Sequence, residues 1–273
     1  MRVLLFLAVA STLAAQDARE IVRRSVQLMD HNLALTRNYT FLERAETREL
    51  DSNAHVKTHK ILLYDVTMLE GSPYRRLVGK DDHGLSPEEQ RIEQKKLDDS
   101  IAQRQKETPA ERARRISDWE KRQQREREPI DEVPDAFNFR IAGQEQIAGR
   151  PTWVIEGTPR PGYHPRSTLA KLFPKFQGKL WIDKQDYQWV KTDVEVTANI
   201  SWGLFVARLN KGAQLNLEMT RVNDEVWLPK HLAANVSATV ALLKKYHIES
   251  DTTFSNYRKF DVQSRVLAAS PVQ

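Results

Sequence analysis

Seven histidines and no cysteine set the chemical possibilities of this 273-residue chain. Without thiols there is no disulfide, no thiolate nucleophile and no Cys-based zinc or iron–sulfur site. His55 and His59 have the spacing of a metal pair, but that spacing chelates on a helix. On a strand, which their surroundings favour, two such residues share a face about 13 Å apart and cannot grip one ion. Asp81-Asp82-His83-Gly84 gathers two carboxylates and an imidazole in a short connection, where a polar turn is expected. Asn38, Asn199 and Asn235 begin glycosylation-type triplets, but all three lie at or within expected strands. There is no G-x-G-x-x-G, no Walker loop and no G-x-S-x-G elbow, which argues against nucleotide and hydrolase chemistry. No catalytic residue, metal or cofactor is therefore assigned. The best polar candidate is the Pro/Gly-rich stretch from Gly157 to Pro165. Arg160, Tyr163 and His164 within it, and Arg166 just after, have the chemistry to meet an anionic head group.

The elements that must position these residues can be followed along the chain. Arg2, the apolar run Val3 to Leu13 and the small pair Ala14-Ala15 read as a cleavable secretory leader over residues 1–15. The remainder, 16–273, is expected to form one domain outside the cytoplasm, periplasmic in a Gram-negative cell. Apolar residues at Ala18, Ile21, Val22, Val26, Met29 and Leu33 predict an amphipathic helix from Asp17, its N-cap, to Leu35. Tyr39 to Leu50, His55 to Leu69 and Tyr74 to Val78 predict an antiparallel meander.

Composition shifts at Ser86. Ser86-Pro87-Glu88-Glu89 and Thr108-Pro109-Ala110-Glu111 are two capping boxes with proline at the first helical position. From Pro87 to Glu128 lie 11 acidic and 12 basic residues in 42, with a thin apolar stripe on each helix. This helical insert, 86–128, closes at Pro129 to Pro134, and it is either a solvated helix face or an arm that docks a partner protein. Its net charge of +1, and +5 for the whole chain (42 Lys+Arg less 37 Asp+Glu), argue against nucleic acid.

Strands resume at Phe137 to Ile147, Thr152 to Glu156, Gly178 to Lys184 and Tyr187 to Ile200. They continue at Trp202 to Leu209, Ala213 to Asn223, Val226 to Lys230, Leu232 to Leu243 and Tyr246 to Tyr257. The fold class is thus α+β, with about ten or eleven antiparallel strands. A sheet that long curls or closes around its apolar face. An unfilled interior makes an apolar cavity, for which Trp153, Trp181, Val190, Val194, Trp202, Leu217 and Trp227 are the candidate lining residues. Two stretches, Trp202 to Ala207 and Val236 to Leu243, are apolar on both faces and need cover from helices, lipid or a partner.

Two hairpins carry a recognisable pattern. Gly143-Gln144-Glu145-Gln146-Ile147-Ala148-Gly149-Arg150 and Gly178-Lys179-Leu180-Trp181-Ile182-Asp183, with Val190 beyond and Val226-Trp227-Leu228-Pro229 later, resemble the LolA/LolB-like superfamily of periplasmic lipoprotein and lipid carriers. The superfamily includes the related sensor domain of RseB. The resemblance implies an unclosed antiparallel β-barrel covered by helices, holding the acyl chains of a lipoprotein or lipid, with transient membrane contact and no enzymatic step. The insert has no counterpart in the short carriers, and the alternative it implies is a sensor or scaffold module that docks a protein through residues 87–128.

Overall fold

The computed structural model describes residues 3–202, 207–240 and 244–259, with side chains from Ala18 onward and without that of Trp202. A helix α1 (Val3–Thr36) leads into β1 (Tyr39–Leu50), β2 (Val56–Leu69), β3 (Ser72–Lys80) and the two-residue β4 (His83–Gly84). Helices α2 (Pro87–Gln105) and α3 (Pro109–Ala136) follow, then β5 (Phe137–Ile147) and β6 (Arg150–Pro159). A 3-10 helix (Ala170–Lys175) precedes β7 (Phe176–Asp183), β8 (Trp189–Val196), β9 (Ile200–Trp202) and β10 (Ala207–Leu209). The chain continues through β11 (Gln214–Val222), β12 (Val226–Val240) and β13 (Lys244–Lys259).

All the strands join one antiparallel sheet in the order β4-β3-β2-β1-β13-β12-β11-β8-β7-β6-β5, with β9 and β10 appended to β12. The sheet is not closed by hydrogen bonds, since β4 and β5 end the path. Among the described residues the strand count is thirteen rather than ten or eleven. β4 and the separate β9 and β10 add strands, whereas Val226 to Lys230 and the following run merge into β12 across a register shift beside Glu218. The two stretches expected to be apolar on both faces fall partly on residues 203–206 and 241–243, outside the described residues.

Register sorts the side chains. Ile141, Ile155, Leu180, Thr192, Leu217, Leu232, Thr252, Ala45 and Leu62 are successive cross-strand partners, so they form one row on one face. The adjacent row on the other face runs Glu156, Lys179, Asp193, Asn216, Ala233, Asp251 and Glu46. One face is apolar, the other charged. The helices lie against the apolar one: Ala18 and Val22 of α1 pack with Phe139, Ile155, Leu180 and Ile182 in the main core cluster. Asn32 clasps β12 at its start, donating to Trp227 O at 2.8 Å and accepting from Trp227 N at 2.7 Å. Around that clasp Tyr39, Val226 and Leu228 make a second cluster with Leu35.

Both capping boxes form, Ser86 with Glu89 and Thr108 with Glu111. Two helix boundaries differ from expectation. α1 passes through Asp17, which is therefore internal and not its N-cap. α3 continues through Pro129 and Pro134 to Ala136 instead of stopping before them. Each proline removes a helical hydrogen bond, and both rings are buried, which offsets that cost through packing.

The insert does not project as a free arm. At ~1.5 Å per residue α3 spans roughly 42 Å, from the turn after β2 to the start of β5, the two open sides of the sheet. Arg115 fixes one end, donating to Ser72 Oγ at 2.6 Å, to Glu70 O at 2.9 Å and to both Glu107 oxygens at 2.7 Å. Midway, Arg37 meets Glu120 at 2.8 Å and Arg127 donates to Val26 O at 3.3 Å. At the far end Arg19 of α1 donates to Pro134 O at 2.9 Å and to Asp135 at 2.6 Å. α3 is a strap beside α1.

Candidate functional site

Where the strap meets the sheet, a cavity of about 120 Å³ opens on the apolar face. Its floor is the neighbouring pair Gly157 and Gly178, which are cross-strand partners without side chains. Gly178 has no room for one and Gly157 only a tight fit. A Cβ on Gly178 would lie 2.2 Å from Asp193 O, and one on Gly157 would lie 3.1 Å from the Phe139 ring. Val133 of α3, Phe173 of the 3-10 helix and Phe176 line the roof side, while Leu180, Thr192 and Val194 line the sheet side. The phenylalanines interlock, with Phe137 at 5.2 Å from Phe173 and 6.2 Å from Phe139 between ring centroids. From Val194 the apolar row runs on to Leu215 and Ala234, and beside it to Leu217 and Leu232. Leu215 is 43% exposed, whereas Ile155 in the adjacent row is fully buried. Helix cover stops between them.

The expected lining residues divide. Val194 lines the cavity and Leu217 is half-buried on the same face. Trp153 is a filler under α1, stacked 5.2 Å from Tyr187. Val190 is 2% exposed at the register shift where β8 meets β7. Trp227 is a peg in the α1–β12 clasp, with its Nε1 donating to Asp186 at 3.0 Å. Trp181 sits on the charged face, its Nε1 on Glu145 at 2.9 Å and Lys191 over its ring. There it borders a larger polar cavity of about 550 Å³ with Asp193, Glu195 and Asn216. The side chain of Trp202 lies outside the described residues. Sequence reasoning missed Val133, Phe137, Phe139, Phe173 and Phe176; the signal was the aromatic density around 137–139 and 173–176.

The loop after β6 is held from below by one carboxylate. Glu132, almost fully buried, accepts from Arg166 N at 2.8 Å, Ser167 N at 2.7 Å and the Tyr163 hydroxyl. Burial alone would raise its pKa, but these hydrogen bonds prevail and hold it at about 2. Burial and the same bond push the Tyr163 hydroxyl up to about 12. His164 and Arg166 are exposed, while Arg160 is half-buried and turned toward α1. Tyr163 and Arg166 thus share Glu132, and the Arg160 guanidinium lies 5.9 Å from the Tyr163 ring centroid.

The metal-like spacings resolve separately. His59 faces Glu46 at 2.9 Å and His55 faces Asp51 at 3.4 Å. Asp81 and Asp82 form a left-handed turn whose Asp82 grips Arg44 at 2.6 and 2.7 Å. Among the described residues no group of three or more metal-ligating side chains converges.

Several solved structures overlap the chain broadly and loosely. A domain described as an outer membrane lipoprotein-sorting protein from Vibrio parahaemolyticus matches at 10% identity and a TM-score of 0.36, over 89% of this chain and 95% of its own. A DUF1329 family protein from Desulfovibrio piger matches at 11% and 0.32, over 92% and 95%. A LolA superfamily protein from Nitrosomonas europaea matches at 10% and 0.31, over 90% and 94%. No protein-family model and no curated protein matches the sequence. Overlaps this loose lend no weight to a function, which has to come from the chain's own side chains. Among the described residues no helix is long and apolar enough to cross a membrane.

Proposed function

We propose that this chain is an exported, non-enzymatic binding or carrier protein for the acyl chain of a lipid or lipidated protein, with residues 1–15 as its secretory leader. The observation that carries the reading is the apolar cavity together with its open continuation over Val194, Leu215 and Leu217. The cavity's 120 Å³ is roughly four waters' share of liquid volume, enough for the few methylenes next to the head of a chain. The rest of the chain runs along the partly covered row. Burying about eight methylenes at ~0.8 kcal/mol each contributes roughly 6 kcal/mol before the costs of association. No bond is made or broken, so no nucleophile or general base is needed.

The test is native mass spectrometry of the protein as purified, followed by delipidation and titration with a fluorescent fatty-acid analogue. Co-purifying acyl mass and saturable 1:1 binding are expected. Absence of both contradicts the reading. The sensor alternative gains nothing from the insert as a free arm, because α3 is tied into the fold along its length.

A further inference from the structure

A second cavity of about 530 Å³ lies on the other side of the Phe137–Phe139 pair, between α1, the start of β5 and the loop after β6. Three guanidiniums line it: Arg19 and Arg23 from successive turns of α1, and Arg160 from the loop. Arg19 is braced from behind by Pro134 O at 2.9 Å and Asp135 at 2.6 Å. Arg23 leans on Glu20, the one carboxylate in the lining. Among the described residues Arg160 has no carboxylate partner. Its backbone N–H donates to Ala136 O at 2.9 Å, fixing its base, and its guanidinium lies 5.9 Å from the Tyr163 ring centroid. Counting Asp135 behind Arg19 together with Glu20, three guanidiniums face two carboxylates, which leaves one positive charge in excess, on Arg160, and Asn138 adds a neutral amide.

Phe137 and Phe139 line this cavity and the apolar one alike. An apolar site and a cationic site are therefore separated by a single layer of aromatic rings. We propose that Arg19, Arg23 and Arg160 bind an anionic oxygen-bearing group, a phosphate or carboxylate, and that it belongs to the head of the amphiphile whose chain occupies the apolar site. Guanidinium forks match such groups in geometry and charge. The anion site stands on its own lining residues; only its assignment to a lipid head rests on the acyl-chain reading. The sequence offered Arg160 as a head-group candidate but not Arg19 or Arg23, because Arg160 stands 137 positions beyond Arg23 (160 less 23).

The experiment titrates the full chain with dodecyl phosphate, dodecanol and inorganic phosphate, in wild type and in Arg160→Gln, Arg160→Lys and Arg23→Gln. Dodecyl phosphate is expected to bind about tenfold more tightly than dodecanol, the scale of one charge-assisted contact. Arg160→Gln and Arg23→Gln are each expected to erase most of that preference while leaving dodecanol binding and the unfolding midpoint unchanged. Arg160→Lys should restore part of it. Inorganic phosphate binding that Arg160→Gln abolishes, with neither amphiphile bound, keeps the anion site and removes the lipid. Equal binding of dodecyl phosphate and dodecanol, or a preference that both glutamine variants retain, overturns the proposal.

Discussion

The two halves of the sheet use the same apolar face in opposite ways. Directly under α1, strands β5 to β8 are filled, and the apolar cavity opens only beside this patch, around Gly157, Gly178 and Val194: Ile155 and Ile182 are fully buried and Val190 is 2% exposed. Across β11, β12 and β13 the same rows continue with Leu217, Leu232 and Phe254 only half-buried, and Leu215 is 43% exposed. Chemistry does not separate them, because both halves present aliphatic side chains. Cover does. Ala18 to Val22 of α1 and the C-terminal end of α3 lie over the first half, whereas among the described side chains α1 reaches the second through the Asn32 clasp and the Tyr39 cluster. Stability is thereby concentrated in one half, and apolar surface able to take a ligand runs from the cavity at its border across the other.

This division can be broken or sharpened by substitution. Ile155→Ala, at the centre of the filled half, is expected to cost about 3–5 kcal/mol in chemical unfolding, the largest effect. Glu132→Gln at the border is expected to cost about 2–3 kcal/mol, since it leaves two backbone N–H groups and a tyrosine with a weaker acceptor. Its pH dependence has a definite sign. The folded carboxyl titrates at about 2 against an ordinary 4.5, so the folded state holds fewer protons than the unfolded state between those values. The stabilisation is complete above the ordinary value and is lost as pH falls toward 2. The gap between wild type and Glu132→Gln should therefore shrink from pH 6 to pH 2.5. A gap that widens on acidification contradicts the assignment.

Arg115→Ala loosens only the first end of the strap, at about 1 kcal/mol. Hydrogen exchange should quicken in residues 109–118 and stay slow in 130–136, where Pro129, Pro134 and Ala136 are packed. Leu215→Glu should be smallest in stability, within about 0.5 kcal/mol for an exposed position, yet it places a carboxylate in the path of an acyl chain. A Leu215→Glu loss as large as that of Ile155→Ala would erase the contrast between the halves.

Local chemistry was readable in the sequence where the signal was itself local. The capping boxes at Ser86 and Thr108 formed as written, and the Ala148-Gly149 hairpin turned on two residues with positive φ, 49° and 78°. Lys191, Asp193 and Glu195 share the charged face, as the alternation along β8 implied. What required register was hidden. Trp153 and Trp181 look alike in sequence, but pairing of Trp153 with Ile182 and of Val154 with Trp181 sends the two indoles to opposite faces. Pro129 and Pro134 carry the local signature of a helix end, and only their burial against other elements explains the continuation to Ala136. The cavity was hidden for a similar reason, since Gly157 and Gly178 become a floor only once β6 and β7 are aligned.

The most direct measurement is a fluorescence titration of delipidated protein with a sixteen-carbon fatty-acid analogue, comparing wild type with Leu215→Glu. Saturable 1:1 binding, weakened about tenfold or more by Leu215→Glu with an unchanged unfolding midpoint, is the expected result. No saturable binding to wild type, or identical binding to both proteins, contradicts the assignment of the partly covered half as an acyl-chain site.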